Sequence, residues 1–369
     1  MALLANFVIG VPISVLDLAP VPTGGTPGDA LRATIDLARH VEQLGFARFW
    51  VAEHHNMPGI ASSAPPVLIG QIAAATSEIR VGSGGVMLPN HAPLVVAEQF
   101  GMLEALHPGR IDLGIGRAPG TDQATAAALG HRGPEEFPQQ LTDLIGFFTG
   151  GWPPNHPFAK VRAVPGQGDA PDIWLLGSSG YSAQVAGLLG LPFAFAHHFM
   201  PANTLPALAL YRETFRPSAL NRPGPPAAAA LNRPHAMVAA GVICADTDER
   251  ARWLAGPSAL SFLRLRMGRP GTMPSPEEAA AYPYTDLDRA MIAERQSSQL
   301  IGSPETVRRG LEDLLAQTKA DELMITTMVF DPADRLRSFE LVAELNLPGP
   351  PAAAHVLGEA QPFVRSKGV

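Results

Sequence analysis

The run Phe49-Trp50-Val51-Ala52-Glu53-His54-His55 carries the change of character that decides the fold. Four apolar residues suited to a buried strand give way at once to an acid and two imidazoles. Polar groups set directly after a buried strand point into a site, and in parallel α/β folds ligands bind at the carboxyl ends of the strands. The arrangement recurs at Leu175-Leu176-Gly177-Ser178-Ser179-Gly180-Tyr181-Ser182, where a strand meets a hydroxyl-rich turn and then a helix. Outward from these two anchors the chain alternates strand and helix. Strands are expected at Phe7–Val11, Phe49–Ala52, Ile79–Gly82, Ile111–Ile115, Ile173–Leu176, Phe193–Ala196, Met237–Ile243 and Leu323–Thr327. Between and after them lie helical patterns at Leu31–Leu44, stopped by Gly45, and at Pro65–Thr76, Pro93–Leu106, Glu135–Phe148, Ser182–Leu189, Thr204–Phe215, Thr306–Ala316 and Arg335–Leu345. Ser303 is the expected N-cap of the seventh of these, with Pro304 at its first position.

Eight short apolar strands separated by helices predict an α/β protein with a (β/α)8 TIM barrel, one domain over residues 1–369. An open, doubly wound sheet is the rival, and no GxGxxG follows the first strand to support it. Two segments break the rhythm. Residues 216–234 are rich in proline and alanine and read as a loop. Residues 268–299, between the seventh strand and the last barrel helices, form an insertion with a helix at Asp286–Gln296, and read either as a lid or as a passive excursion.

Composition narrows the function. Hydrophobic residues make up 46% of the 369 residues and charged ones only 17%, enough for a large core and against disorder over most of the length. A net charge of −7 argues against nucleic acid as the main partner. One cysteine, Cys244, excludes an internal disulfide and a Cys-rich metal site, and fits a cytoplasmic protein. Met1–Gly10 lacks a basic segment and a cleavage site, so no signal peptide is read there; no uninterrupted apolar stretch suits a membrane span.

The candidate chemistry sits at the strand ends. Histidine exchanges protons near neutrality, so His54 or His55 could serve as acid or base; the pair could equally cap the strand through hydrogen bonds. If strand alternation continues, only one of the two enters the barrel mouth. Metal binding is not expected, because adjacent histidines space ligands poorly. The turn Gly177–Ser182 offers hydroxyls and free amides at a helix start, suited to phosphate or simply to capping. Arg117 could pair with phosphate in a fixed fork, or form a salt bridge. The small residues of Gly82-Ser83-Gly84-Gly85 could admit a flat ring or mark a bulge. Phe193, Phe195, His197, His198, Phe199 and Met200 could line a partly apolar pocket, or in the case of Phe193 and Phe195 belong to the core.

Taken in order, these pieces resemble the bacterial luciferase-like, flavin-dependent monooxygenase family. The matching runs are FWVAEHH (49–55), IRVGSGGVMLPNHAPLVVAEQF (79–100), LHPGRIDLGIGRAPG (106–120), LLGSSGYSAQVAGLLGLPFAFAHHF (175–199) and IGSPETVRRGLEDL (301–314). The resemblance spans Phe7 to about Leu345 and is nearest to the single-chain oxidoreductase branch. It implies that His54 is the histidine that handles protons beside the flavin and that Glu53 is a neighbouring acid. It places a non-proline cis peptide at Gly84-Gly85 under the flavin ring. Arg117, Ser178, Ser179 and Ser182 would hold the phosphate. A reactive thiol found beside that arginine in light-emitting members is Gly116 here, which speaks against light emission but not against flavin binding. The implied activity is an FMN-dependent monooxygenase. It would use reduced FMN from a separate flavin reductase, dioxygen and a small organic substrate, and act as a homodimer through the helices at Pro65–Thr76 and Pro93–Leu106. A deazaflavin-dependent dehydrogenase and a non-catalytic flavin-binding barrel are the alternatives the resemblance leaves open.

Overall fold

The protein, seen in a computed structural model, is described over residues 10–217 and 231–345. Among these residues nine strands form: β1 Ile13–Asp17, β2 Arg48–Val51, β3 Arg80–Met87, β4 Ile111–Gly116, β5 Asp172–Gly177, β6 Phe193–Phe195, β7 Ala236–Cys244, β8 Leu300–Gly302 and β9 Glu322–Thr326. All pairings between them are parallel, and eight strands close in the order β1-β2-β3-β4-β5-β6-β7-β9, with β9 returning to β1. The short β8 stays outside the ring. β7 pairs with β9 over Met237–Gly241 and then with β8 over Val242–Cys244. The helices are α1 Pro27–Gln43, α2 Pro65–Ala75, α3 Pro93–Leu106, α4 Gln123–Ala128, α5 Phe137–Thr149, α6 Gly180–Leu189, α7 Thr204–Thr214, α8 Asp248–Arg266, α9 Pro276–Ala281, α10 Asp286–Gln296, α11 Pro304–Thr318 and α12 Pro332–Ala343. This is the expected (β/α)8 barrel. No helix among the described residues is long and apolar enough to cross a membrane.

Three expectations need correction. The first strand is Ile13–Asp17, not Phe7–Val11, of which residues 7–9 lie outside the described residues. Hydropathy favoured the uniformly apolar run, whereas the true strand carries Ser14 and Asp17, both buried because distant partners satisfy them. The Ser14 hydroxyl donates to Glu322, and Asp17 meets Arg335 at 3.0 Å and Thr34 at 2.5 Å. The second correction is α8, whose 19 residues contain Pro257 and read as no element in the sequence. An internal proline costs a backbone bond and clashes with the preceding turn. Burial of Leu254, Ala255, Leu260 and Leu263 offsets that cost. The third is β8, three residues long and too short to show a period. Ser303 does stand at the N-cap of α11, but its hydroxyl caps no amide; its own amide donates to Asp248 at 2.6 Å. The loop expected at 216–234 lies mostly outside the described residues.

Inward-facing residues fill the barrel in layers, as closed sheets of this size require. At the amino end of the strands sits an ionic layer. Arg48 bridges Asp112 (2.8 Å) and Glu322 (3.0 Å), and Arg80 bridges Asp112 (2.5 Å) and Asp172 (2.7 Å). Burial works against the Asp112 charge, but the two guanidiniums outweigh it and hold the carboxyl below its ordinary range. Above lies an apolar layer of Leu16, Trp50, Trp174, Ala194, Met237 and Met324. Trp50 and Trp174 meet edge to face at 5.3 Å, and the Trp50 indole donates to Asp112 at 2.9 Å. Room for Trp50 comes from Gly82, where a Cβ would lie 2.8 Å from the indole nitrogen.

Replacing Asp112 by alanine removes the anion shared by Arg48 and Arg80. Breaking one member of a buried ion network costs about 3–5 kcal/mol. We expect a lower urea midpoint with an unchanged denaturant slope; a loss under about 1 kcal/mol would mean that water already screens the layer.

Candidate active site

Strand β2 ends at Val51, and the chain then turns Glu53 fully inside, at 0% exposure. A buried carboxylate is tolerated only when donors surround it. Glu53 collects four: the Met87 amide (3.0 Å), Asn90 Nδ2 (3.1 Å), His91 Nε2 (3.0 Å) and His55 Nε2 (3.0 Å). Burial opposes its charge, but the bonds and charge of His91, with His55 and the Met87 amide, hold it below the usual carboxylate range. Glu53 therefore ties the exit of β2 to the segment after β3. Asn90 extends the tie to the exit of β4 by donating to the Pro119 carbonyl at 3.0 Å, while its own oxygen meets His131 Nδ1 at 2.6 Å.

The two histidines part ways. His55 is committed to Glu53. His54 has Nδ1 3.1 Å from the Gly120 carbonyl. A carbonyl only accepts, so Nδ1 carries the proton. Burial lowers the basicity of His54, with the Gly120 bond and the Glu53 charge opposing, so the ring is neutral at pH 7. Nε2 then presents a lone pair, with no protein partner among the described residues. Gly120 is suited to this post: its φ of +66° is left-handed, and a Cβ there would lie 2.7 Å from the Glu53 carbonyl.

Beside this cluster, β3 and β4 lose their side chains. The Gly84-Gly85 peptide is cis, and the pairing with β4 shifts register between Gly84 and Val86. A Cβ on Gly114 would lie 2.0 Å from the Ser83 carbonyl, and one on Gly85 would lie 2.8 Å from the Gly114 carbonyl. The missing side chains let β3 and β4 pack backbone against backbone here; Gly85 and Gly114 are buried and Gly84 is half-buried. A Cβ on Gly116 would lie 2.8 Å from the Met87 sulfur.

The third part of the site joins β4 to the β5 exit. The Arg117 guanidinium lies 4.3 Å from the Tyr181 ring centroid, in the first turn of α6. Among the described residues it has no acid partner. Ser179 is the N-cap of α6, yet no side chain caps the helix, so its first amides remain free donors. The hydroxyls of Ser178 and Ser179 carry no bond to protein either, and Ser182 lies buried beneath Gly177. The Arg117 guanidinium, the uncapped start of α6 and the hydroxyls of Ser178 and Ser179 could together hold an anion such as a phosphate.

Other expected residues fall elsewhere. Phe193 and Phe195 are fully buried in the layer between barrel and helices and line no pocket. His198 does stand at the mouth: its Nδ1 and amide both meet the Ala239 carbonyl on the inner face of β7, at 3.0 and 3.1 Å. The insertion at 268–299 is footed on the far loops. The Met273 amide donates to Val21 and the Thr23 amide to Met273, both at 2.8 Å. Asn90, His91 and Tyr181 were missed as site residues. Their signal was their place within the quoted motif runs, but partners more than thirty residues away decided their roles.

A family model described as luciferase-like monooxygenase matches residues 11–322. YvbT of Bacillus subtilis (strain 168) is 51% identical over 335 residues, covering 90% of this chain and 96% of that protein. A luciferase-like monooxygenase of Escherichia coli (strain K12) is 45% identical over 338 residues, covering 91% and 97%. The N-acetyl-S-alkylcysteine monooxygenase of Bacillus subtilis (strain 168) is 35% identical, covering 90% and 98%. Among solved structures, apo-MsnO8 matches with a TM-score of 0.80 at 38% identity, covering 91% and 98%. Two more distant structures share the fold. They are the FMN complex of the oxygenating constituent of 3,6-diketocamphane monooxygenase from Pseudomonas putida (TM-score 0.69, 20% identity, covering 92% and 99%) and an F420-dependent secondary alcohol dehydrogenase (0.65, 14%, covering 92% and 100%).

Burial pushes His198 from 6.5 down to about 4, with Arg295 and His197 adding to the effect and the Ala239 bond opposing it. Between those values the unfolded chain binds a proton that the folded chain refuses, so stability falls as pH drops from about 7 towards 4, by at most about 3 kcal/mol. The melting temperature should decline between pH 7 and pH 5, and less steeply in His198→Asn, which keeps a donor for Ala239 and does not titrate. Equal slopes would show that the imidazole is not sheltered.

Proposed function

The chain belongs to the luciferase-like monooxygenase family, and from that premise we propose that it is an FMN-dependent monooxygenase. It takes reduced FMN from a separate reductase and uses dioxygen to oxygenate a small organic substrate. The observation that carries the reading is Arg117. A sheltered guanidinium without an acid partner, stacked on Tyr181 at the uncapped start of α6, calls for an anion from outside the protein. Bound FMN would supply the redox and oxygen chemistry.

The residues of the chain divide the remaining work. Arg117, Ser178, Ser179 and Ser182 bind the phosphate. Gly84 and Gly85 let the ring lie against backbone. His54 accepts and returns a proton at Nε2, its tautomer set by Gly120. Glu53 acts as a positioning residue, because all its acceptor capacity is committed to the loops it joins. The insertion at 268–299 serves as a lid that excludes water, held through Met273 to the β1 exit. The relative named for N-acetyl-S-alkylcysteine supports a heteroatom-bearing substrate such as a thioether. A deazaflavin-dependent dehydrogenase is the second reading, supported by the fold shared with the F420-dependent alcohol dehydrogenase.

The homodimer is proposed through α2 and α3. Val67 on α2 and Val95, Met102 and Leu106 on α3 are 72, 46, 53 and 67% exposed. The α3 residues follow a seven-then-four spacing that puts them on one face of the helix.

Three measurements test these points. Arg117→Ala should weaken FMN binding by about 10- to 100-fold while leaving riboflavin affinity unchanged, read by flavin fluorescence quenching. Equal wild-type affinity for FMN and riboflavin would remove the phosphate assignment, and tighter binding of F420 than of FMN would favour the dehydrogenase. His54→Ala should keep FMN bound but cut substrate-dependent oxygen uptake by roughly 100-fold or more. Met102→Glu with Leu106→Glu should convert a dimer to a monomer in light scattering after size exclusion; a wild type already monomeric refutes the interface.

A further inference from the structure

Every other arginine sheltered from solvent among the described residues holds an acid or a backbone carbonyl, as Arg48, Arg110 and Arg335 do. Two do not: Arg117, assigned above to phosphate, and Arg295. Arg295 stands in the last turn of α10, half-buried, with its guanidinium carbon 4.6 Å from the centroid of the Phe262 ring on α8. Among the described residues it has neither an ion pair nor a side-chain hydrogen bond. Desolvation of an unpaired guanidinium is unfavourable, and burial lowers its proton affinity with nothing to oppose it. A charge held this way destabilises the protein unless a ligand completes it.

Its position says which ligand. Gln299, one turn on, lies 3.3 Å from where a Cβ would stand on Gly241, on the inner face of β7. Gly241 pairs with Thr326 of β9, whose hydroxyl is buried without a partner. His198, at the β6 exit, feels the Arg295 charge. Arg295 thus belongs to the β6-β7-β9 arc of the mouth, while the phosphate cradle belongs to β4 and β5. We propose that Arg295 anchors the carboxylate of an organic-acid substrate, with Phe262 flanking the apolar body of that substrate. This deepens, and rests on, the monooxygenase reading. One guanidinium, with His198 uncharged at neutral pH, matches one negative charge rather than a phosphate dianion. The planar fork matches the two oxygens of a carboxylate.

The test uses hexanoate, hexanamide and hexyl phosphate as probes, titrated calorimetrically into the full-length protein with and without FMN. Wild type should bind hexanoate roughly tenfold or more tighter than hexanamide. Arg295→Gln should erase that preference, and Arg295→Lys should restore part of it. FMN affinity should be the same in all three proteins. Because the unpaired charge is removed, Arg295→Met should melt no lower than wild type, which separates loss of the anchor from loss of fold. The assignment is overturned by equal binding of hexanoate and hexanamide, by tighter binding of hexyl phosphate, or by loss of FMN affinity in Arg295→Gln, which would give the guanidinium to the cofactor. If wild type prefers hexanoate but binds no FMN, the anion site stands and the monooxygenase reading beneath its substrate role falls.

Discussion

The candidate site depends on one buried carboxylate. Glu53 lies inside the barrel wall with no access to water, and its charge is tolerable only while the Met87 amide, Asn90, His91 and His55 all donate to it. That electrostatic demand draws the segments after β2 and β3 onto each other, and Asn90 carries the demand to the exit of β4. With those segments locked, the Gly120 carbonyl is fixed against His54, and the tautomer of His54 follows. In the proposed function the acid next to the histidine therefore serves as a positioning residue.

A second constraint acts from below. The barrel interior is graded from charge at the amino ends of the strands, through the tryptophan pair, to glycines and polar groups at the carboxyl ends. The ionic layer of Arg48, Arg80, Asp112, Asp172 and Glu322 holds strands that are far apart in sequence at fixed spacing. Trp50 and Trp174 close the interior above it, and Gly82 and Gly84 yield the space that the indole of Trp50 occupies. The glycines of β3 and β4 therefore make room for an indole at one level and let the two backbones approach at the next. Division of a barrel into a stabilising amino face and a working carboxyl face is general for this architecture.

Two guanidiniums stand outside this economy of paired charges. Arg117 and Arg295 lie on different arcs of the same mouth, each beside an aromatic ring and neither with an acid. Aromatic support lets a guanidinium be partly desolvated without an anion, so both stay oriented and ready for one. Arg117 follows β4 and Arg295 closes α10, so the two proposed anion sites are held by different parts of the chain.

Much of this was legible in the residues. Strand-to-polar transitions at Phe49–His55 and Leu175–Ser182 marked both halves of the rim, because in a parallel barrel the chain leaves each strand at its carboxyl end. Asp286–Gln296 and Pro93–Leu106 were readable to the residue: Thr285 and Asp288 cap the first reciprocally, and Pro93 stands at the first position of the second. The illegible features share one cause. Ser14 and Asp17 in β1, Pro257 in α8 and the pairing of β8 all look unfavourable locally and are rescued by groups distant in the chain. The same cause separates His54 from His55. Their sequence is symmetrical, and only the arrival of Gly120 and of the Glu53 carboxylate tells them apart. Local chemistry, which the sequence carries, determined the barrel and the location of its rim. Which side chains are satisfied and which are left waiting for a ligand was decided by tertiary contacts, because hydrogen-bond saturation depends on all neighbours in space.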